Sequence, residues 1–169
     1  MIKEGPFTWH NGQVPEGLRI QQVYGILFDK FGRILLRTDG LDDYTKFTFA
    51  GGKTEDFDKD MVDTLTREVK EEVNTTIKNP IIIGYQEVDE GNGTPIYAQV
   101  RMVAMIDNIG PAQPDPDNGR TYRRLLTAPQ KAKALIDWGK IGDEVIDQAV
   151  KLAGEHYGIT THLTQDEYV

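Results

Sequence analysis

Val62, Leu65, Val69 and Val73 recur at a spacing that a helix turns to one side, in a chain whose neighbouring apolar runs alternate as strands do. A helical stripe set between strands forces layers, because neither the stripe nor a sheet face can be left in water. Upstream, residues 20–28 and 33–37 read as strands joined by the turn Asp29-Lys30-Phe31-Gly32, the second returning as a hairpin partner. Residues 40–44 read as a loop and 46–49 as a short strand. Downstream, 81–88 and 96–106 read as strands around the turn Glu90-Gly91-Asn92-Gly93-Thr94, and 122–126 as another. Pro111, Pro114 and Pro116 make 109–120 a loop. Residues 129–138 and 142–156 read as helices, the second with Val145, Ile146, Ala149, Leu152 and Ala153 along one side. The implied class is α+β, an α/β/α sandwich around a mixed central sheet. Residues 1–18, rich in Gly and Pro, read as an irregular leader, 19–157 as a single domain, and 158–169 as a loose tail.

Composition removes several chemistries. The chain has no cysteine, which excludes disulfide frameworks, thiolate zinc sites, iron–sulfur clusters and thiol catalysis. A net charge of -8 argues against a nucleic-acid polymer as partner, since such binding needs basic surface. No apolar run has the length of a membrane span, and the N-terminal residues lack the pattern of an export signal, so the expected location is cytoplasmic.

The chemistry is expected between Gly51 and Glu72. On the predicted helix, which Asp58 or Asp60 can cap, Glu68, Glu71 and Glu72 fall on one flank beside the apolar stripe. Glu68 and Glu72, four residues apart, repel each other, and a surface helix gains nothing from that spacing unless a cation lies between them. Carboxylate oxygens are hard ligands that suit magnesium completed by waters and phosphate. Arg67 can pair with Glu71 and hold the set in position. Gly51 and Gly52 let the backbone approach a metal or a phosphate closely.

These residues resemble the Nudix box, G-x5-E-x7-R-E-U-x-E-E-x-G-U, where U is a bulky aliphatic residue. Arg67-Glu68-Val69-Lys70-Glu71-Glu72 matches its second half in full. Asp58 stands for the first Glu, one extra residue precedes Arg67, and Asn74-Thr75 replaces the Gly-aliphatic end. Ala50 stands where a proline often precedes the paired glycines. Asn74 can adopt the left-handed conformation a glycine would. The element order over 23–152 is similar to that of a Nudix domain, and 115–126 resembles a bacterial, MutT-like subgroup. The resemblance implies a pyrophosphohydrolase acting on acid anhydrides, with Glu68, Glu71, Glu72 and the carbonyl of Gly52 on magnesium, or manganese in its place. It implies catalytic roles for Arg67 and the three glutamates, and phosphate contacts from Arg37, Gly51, Gly52 and Lys53. The expected substrate is a small nucleoside diphosphate derivative or nucleoside triphosphate, with no membrane partner. A monomer and a homodimer are both open. The proton acceptor is open among Glu68, Glu87, Asp89, Glu90, Asp107 and Asp115. The alternative is a Nudix-like sensor that binds a nucleotide without cutting it, against which the retention of all three glutamates counts.

Other readings of the same residues are weaker. Gly52-Lys53-Thr54 ends like a Walker A loop, but that motif needs glycine where Phe47 stands. Asp115, Asp117 and Asn118 suggest a calcium loop, but its sixth and twelfth positions are Arg120 and Leu126, so a plain turn is expected. Asp58 reads more readily as a helix cap than as a chemical group. Tyr24, Phe49, Tyr85 and Tyr97 could stack a base, although strand aromatics are more often core.

Overall fold

The computed structural model describes residues 1–38 and 46–169. Among them run β1 (Ile2–Glu4), β2 (Phe7–Asn11), β3 (Arg19–Phe28), β4 (Ile34–Thr38), β5 (Phe47–Thr48), β6 (Ala50–Lys53) and helix α1 (Met61–Val73). β7 (Thr75–Val88), β8 (Tyr97–Ile109), β9 (Arg123–Thr127), α2 (Pro129–Ile136), α3 (Gly139–Tyr157) and β10 (Glu167–Tyr168) follow. The loop expected at 40–44 lies outside the described residues.

The sheet order is β1-β2-β7-β8-β3-β4-β9-β10, with β5 on β4 and β6 on β3. β3 and β8 run parallel while the other pairings are antiparallel, so the sheet is mixed. Strand alternation builds two cores from one sheet. Val23, Leu27 and Leu35 face α1 and pack with Leu65, Val69 and Val73. Ile26, Phe28, Ile34 and Leu36 face the other way, onto Ile136, Val145, Ile146 and Ala149 of α2 and α3. The expected α/β/α sandwich is the observed one. No helix among the described residues is long and apolar enough to cross a membrane.

Three expectations need correction. The leader is not irregular: β1 and β2 form a hairpin at Gly5, and β2 extends the sheet along β7 from Phe7↔Val88 to Asn11↔Gly84. Trp9, 1% exposed, anchors it in the core. Alternation over only five residues, framed by Gly and Pro, was too short a signal to read as a strand. Nor is the tail loose. β10 pairs with β9, Leu163 N–H donates to the Phe31 carbonyl at 2.9 Å, and Asp166 accepts from Thr127 Oγ1 at 2.7 Å. β4 is a hairpin partner only at Phe28↔Ile34, because β6 occupies Gln22 to Gly25 of β3 and β4 turns to pair with β9.

Candidate active site

Helix α1 begins where the sequence places it. Asp60, not Asp58, is the N-cap, its carboxylate accepting from Asp63 N–H at 3.0 Å. The helix ends at Asn74, which takes the left-handed conformation with φ 46°. Its side chain donates to the Pro111 carbonyl at 2.9 Å. That bond ties the end of α1 to the loop that carries the acidic turn described below.

The helix lies against β6, and the glycine pair makes the approach possible. A Cβ on Gly52 would stand 2.6 Å from the Glu68 carboxylate, and one on Gly51 would stand 2.2 Å from the Val23 carbonyl. A side chain at Gly52 would meet the helix, and one at Gly51 would meet the backbone of β3. The close fit buries Glu68 and Glu72, each 6% exposed.

Two guanidinium groups divide the carboxylates between them. Arg67 receives a fork from Asp58: its Nε donates to Oδ1 at 3.1 Å and its Nη2 to Oδ2 at 2.8 Å. Its remaining donors reach Glu68 at 3.1 Å, Glu71 at 3.4 Å and the Lys53 carbonyl at 2.9 Å. Asp58 also accepts from Thr64 Oγ1 at 2.8 Å and Glu55 N–H at 2.9 Å. The hydrogen bonds from Arg67 hold its carboxyl well below the usual range, against the opposing effect of burial. Asp58 is therefore the anchor of Arg67 rather than a cap. Glu72 faces the other guanidinium, with Arg37 Nε at 2.7 Å and the Gly51 N–H at 3.2 Å. Burial pushes Glu72 up to about 8, with Arg37 and the Gly51 bond pulling the other way.

Among the described residues, one group of three carboxylates has oxygens all within 4.8 Å of one another: Glu68, Glu71 and Asp117. Asp117 reaches α1 from the turn after β8. Asp115 organises that turn: its side chain accepts from Asp117 N–H at 2.9 Å and its carbonyl from Gly119 N–H at 2.7 Å. The plain turn expected there is present, and it delivers an acid. Burial raises Glu68 and Glu71 from the ordinary carboxylate range; Arg67 opposes this for both, and Asp117 adds to it. Glu68 and Glu71 share the Arg67 guanidinium with Asp58, and Asp117 adds negative charge beside both, as Asp115 does beside Glu71. A divalent cation on hard oxygens fits this donor set.

Of the other predicted contacts, Gly51, Gly52 and Arg37 border the carboxylates, while Lys53 contributes its carbonyl to Arg67 and leaves its side chain exposed. Glu87 sits near His10, Glu90 accepts from Tyr97, and Asp107 accepts from Thr76, all through contacts that involve none of the site residues. Asp89 turns its carboxylate to Gly91 N–H. Asp115 alone among those later acids acts on the glutamates, raising Glu71 and Glu72.

A cavity of about 480 Å³ continues from Arg37 and is walled by Tyr24, Arg101 and Trp138. Arg37 both lines this cavity and pairs with Glu72, so the cavity and that carboxylate are neighbours.

No protein-family model matches the chain, and no curated protein matches it in sequence. Solved structures do. The pyrophosphohydrolase BsRppH of Bacillus subtilis superposes with a TM-score of 0.65 at 18% identity, covering 88% of this chain and 91% of that one. A MutT from work on Aliivibrio salmonicida and Vibrio cholerae gives 0.57 at 18%, over 79% and 98%. A NUDIX hydrolase from Nitrosomonas europaea gives 0.57 at 14%, over 86% and 94%. The chain has the Nudix fold. On that fold the box residues Asp58, Arg67, Glu68 and Glu71 form one connected network, with Glu72 held separately by Arg37. Sequence reasoning missed Trp138, set Asp117 aside as part of a plain turn and undervalued Asp58. Only Asp58 had a usable signal, its acidic place in the box. Phe49 and Tyr85 are buried, as strand aromatics usually are, whereas Tyr24 lines the cavity.

Proposed function

We propose that this chain is a Nudix hydrolase that cleaves a diphosphate linkage in a nucleoside diphosphate derivative or nucleoside triphosphate, with magnesium or manganese bound. The observation that carries the reading is the convergence of Glu68, Glu71 and Asp117 beside Gly52, next to a cavity large enough for a nucleoside. The MutT and pyrophosphohydrolase neighbours support it at the level of fold.

Glu68, Glu71 and Asp117 would hold the metal, with the Gly52 carbonyl beside them. When bound, the ion supplies charge neutralisation at the phosphates and a more acidic water. The chain does the rest. Asp58 fixes Arg67, and Arg67 keeps Glu68 and Glu71 pointed at a common centre. Arg37, which pairs with Glu72 and lines the cavity, would meet a substrate phosphate. Burial raises Glu68 and Glu72, which suits either carboxylate to take the proton of an attacking water near neutral pH.

The test is a screen with magnesium over nucleoside triphosphates, dinucleoside polyphosphates, nucleotide sugars, ADP-ribose, NADH and a 5′-capped RNA oligonucleotide. Turnover of a small nucleotide that chelation abolishes is the expected result. Preference for the RNA would overturn the substrate class, and no turnover across the panel would overturn the enzyme reading.

A further inference from the structure

Arg101 stands apart from the other arginines of the site. It is 3% exposed, yet its side-chain hydrogen bonds, to the Val100 carbonyl and Gln99 Oε1, are both 3.5 Å long. Among the described residues, no carboxylate makes a hydrogen bond or ion pair with it. Tyr24 and Trp138 each lie against the guanidinium, at 4.9 and 5.4 Å from their ring centroids. A buried charge without an anionic partner is costly, and burial lowers the Arg101 pKa to about 10. Such a group is retained at a cavity wall if a ligand completes it. With aromatic rings against it, the guanidinium offers a ligand chiefly its N–H edge, which is rigid and purely a donor.

The rest of the cavity restricts what that ligand is. Glu4 also lines it; one of its oxygens accepts from Ile141 N–H at 2.7 Å, at the start of α3. A simple anion would satisfy Arg101 but would share the cavity with the Glu4 carboxylate. The lining instead asks for a flat, neutral group with a pair of acceptors for Arg101, donors for Glu4, and faces for Tyr24 and Trp138. Gln22 and Gln99 add amides that can do either. Guanine has this layout: O6 and N7 side by side as acceptors, N1–H and the 2-amino group as donors. Adenine places the N6 donors where O6 would be and turns them against a guanidinium.

We propose that this cavity reads a 6-keto purine, Arg101 donating to O6 and N7 and Glu4 accepting from N1 and the 2-amino group. It therefore prefers guanine and hypoxanthine nucleotides to adenine nucleotides. The proposal rests on the diphosphate-hydrolase reading for its choice of a nucleotide, but it is tested without hydrolysis.

Titration calorimetry on the full chain in EDTA, with GMP, IMP and AMP, reads the base directly. Wild type is expected to bind GMP and IMP about tenfold or more tighter than AMP. Arg101→Gln is expected to reverse the order, since an amide pairs with N6 and N7 of adenine. Glu4→Gln keeps an acceptor for Ile141 N–H and is expected to bring GMP affinity down toward that of IMP. Equal binding of AMP and GMP by wild type overturns the proposal and assigns Arg101 to the phosphate. So does an unchanged preference in Arg101→Gln, or no binding of any of the three nucleotides. A thermal melt of each variant checks folding, and if Arg101→Gln does not fold, the wild-type ratio and Glu4→Gln decide. Magnesium-dependent turnover is assayed in parallel. Base-selective binding without turnover removes the enzyme reading alone, and turnover without base preference removes this proposal alone.

Discussion

Replacing Asp58 by Asn tests whether the residue anchors Arg67 or only sits before the helix. If it capped α1, Asn would serve equally well. In the observed network, Oδ2 accepts from Arg67 Nη2, Thr64 Oγ1 and Glu55 N–H, and Oδ1 accepts from Arg67 Nε alone. The amide oxygen of Asn can keep the first group of contacts in neutral form. Its NH2 must then face Arg67 Nε–H, donor against donor. One charge-assisted bond is lost and another weakened, at roughly 1.5–3 kcal/mol for a bond to a charged group. Arg67 keeps Glu68, Glu71 and the Lys53 carbonyl, so the net loss is about 2–3 kcal/mol. For a chain of this size that lowers Tm by roughly 4–12 °C. The sign of the pH dependence follows from the depressed Asp58 pKa. Its stabilisation is complete above the unfolded value near ~3.9 and is lost as pH falls from there through the folded value. Thermal melts in EDTA should show a gap between wild type and Asp58→Asn that is constant from about pH 8 to 5 and narrows below about pH 4. Equal Tm values at pH 7, or a gap that persists unchanged to pH 3, would refute the anchoring role.

Glu72→Gln should lose turnover by about 100-fold or more while its Tm stays within a few degrees, because it removes a proton acceptor beside the reaction centre and little packing; unchanged kcat on the best substrate contradicts this. Gly52→Ala drives a Cβ to 2.6 Å from the Glu68 carboxylate, so calorimetry should register weaker magnesium binding, and wild-type affinity would show that the loop yields freely. Glu68 and Glu71 are raised from the ordinary carboxylate range, so protons compete with the metal above that range. Magnesium affinity should therefore keep climbing as pH rises above the ordinary carboxylate range, with proton release visible as buffer-dependent heats, and a flat profile there would argue against these ligands. Trp9→Ala should destabilise the fold by about 3–5 kcal/mol in urea melts, since Trp9 is 1% exposed, and a loss under about 1 kcal/mol would show the N-terminal hairpin to be dispensable.

What the sequence determined by itself is what depends on near neighbours. The stripe of α1 and its left-handed Asn74 end are set by interactions spanning about four residues, and each was readable, while the cap was legible only as Asp58 or Asp60. Strand alternation likewise announced two buried faces, and the Arg67 to Glu72 run announced the acidic flank. Tertiary structure alone decided how far-separated segments meet. Asp117 looks like an ordinary turn residue until the Asn74–Pro111 bond and the turn set by Asp115 bring it against Glu68 and Glu71. Trp138 looks like the end of a helix until the packing of α2 and α3 on the sheet turns it toward Arg101. Nothing in the box separates Glu72 from its fellow glutamates; the pairing of β4 with β9 puts Arg37 where it claims that side chain. Such contacts arise from chain reversals and sheet order. Their free energy comes from burying the whole core, which no local pattern of residues encodes.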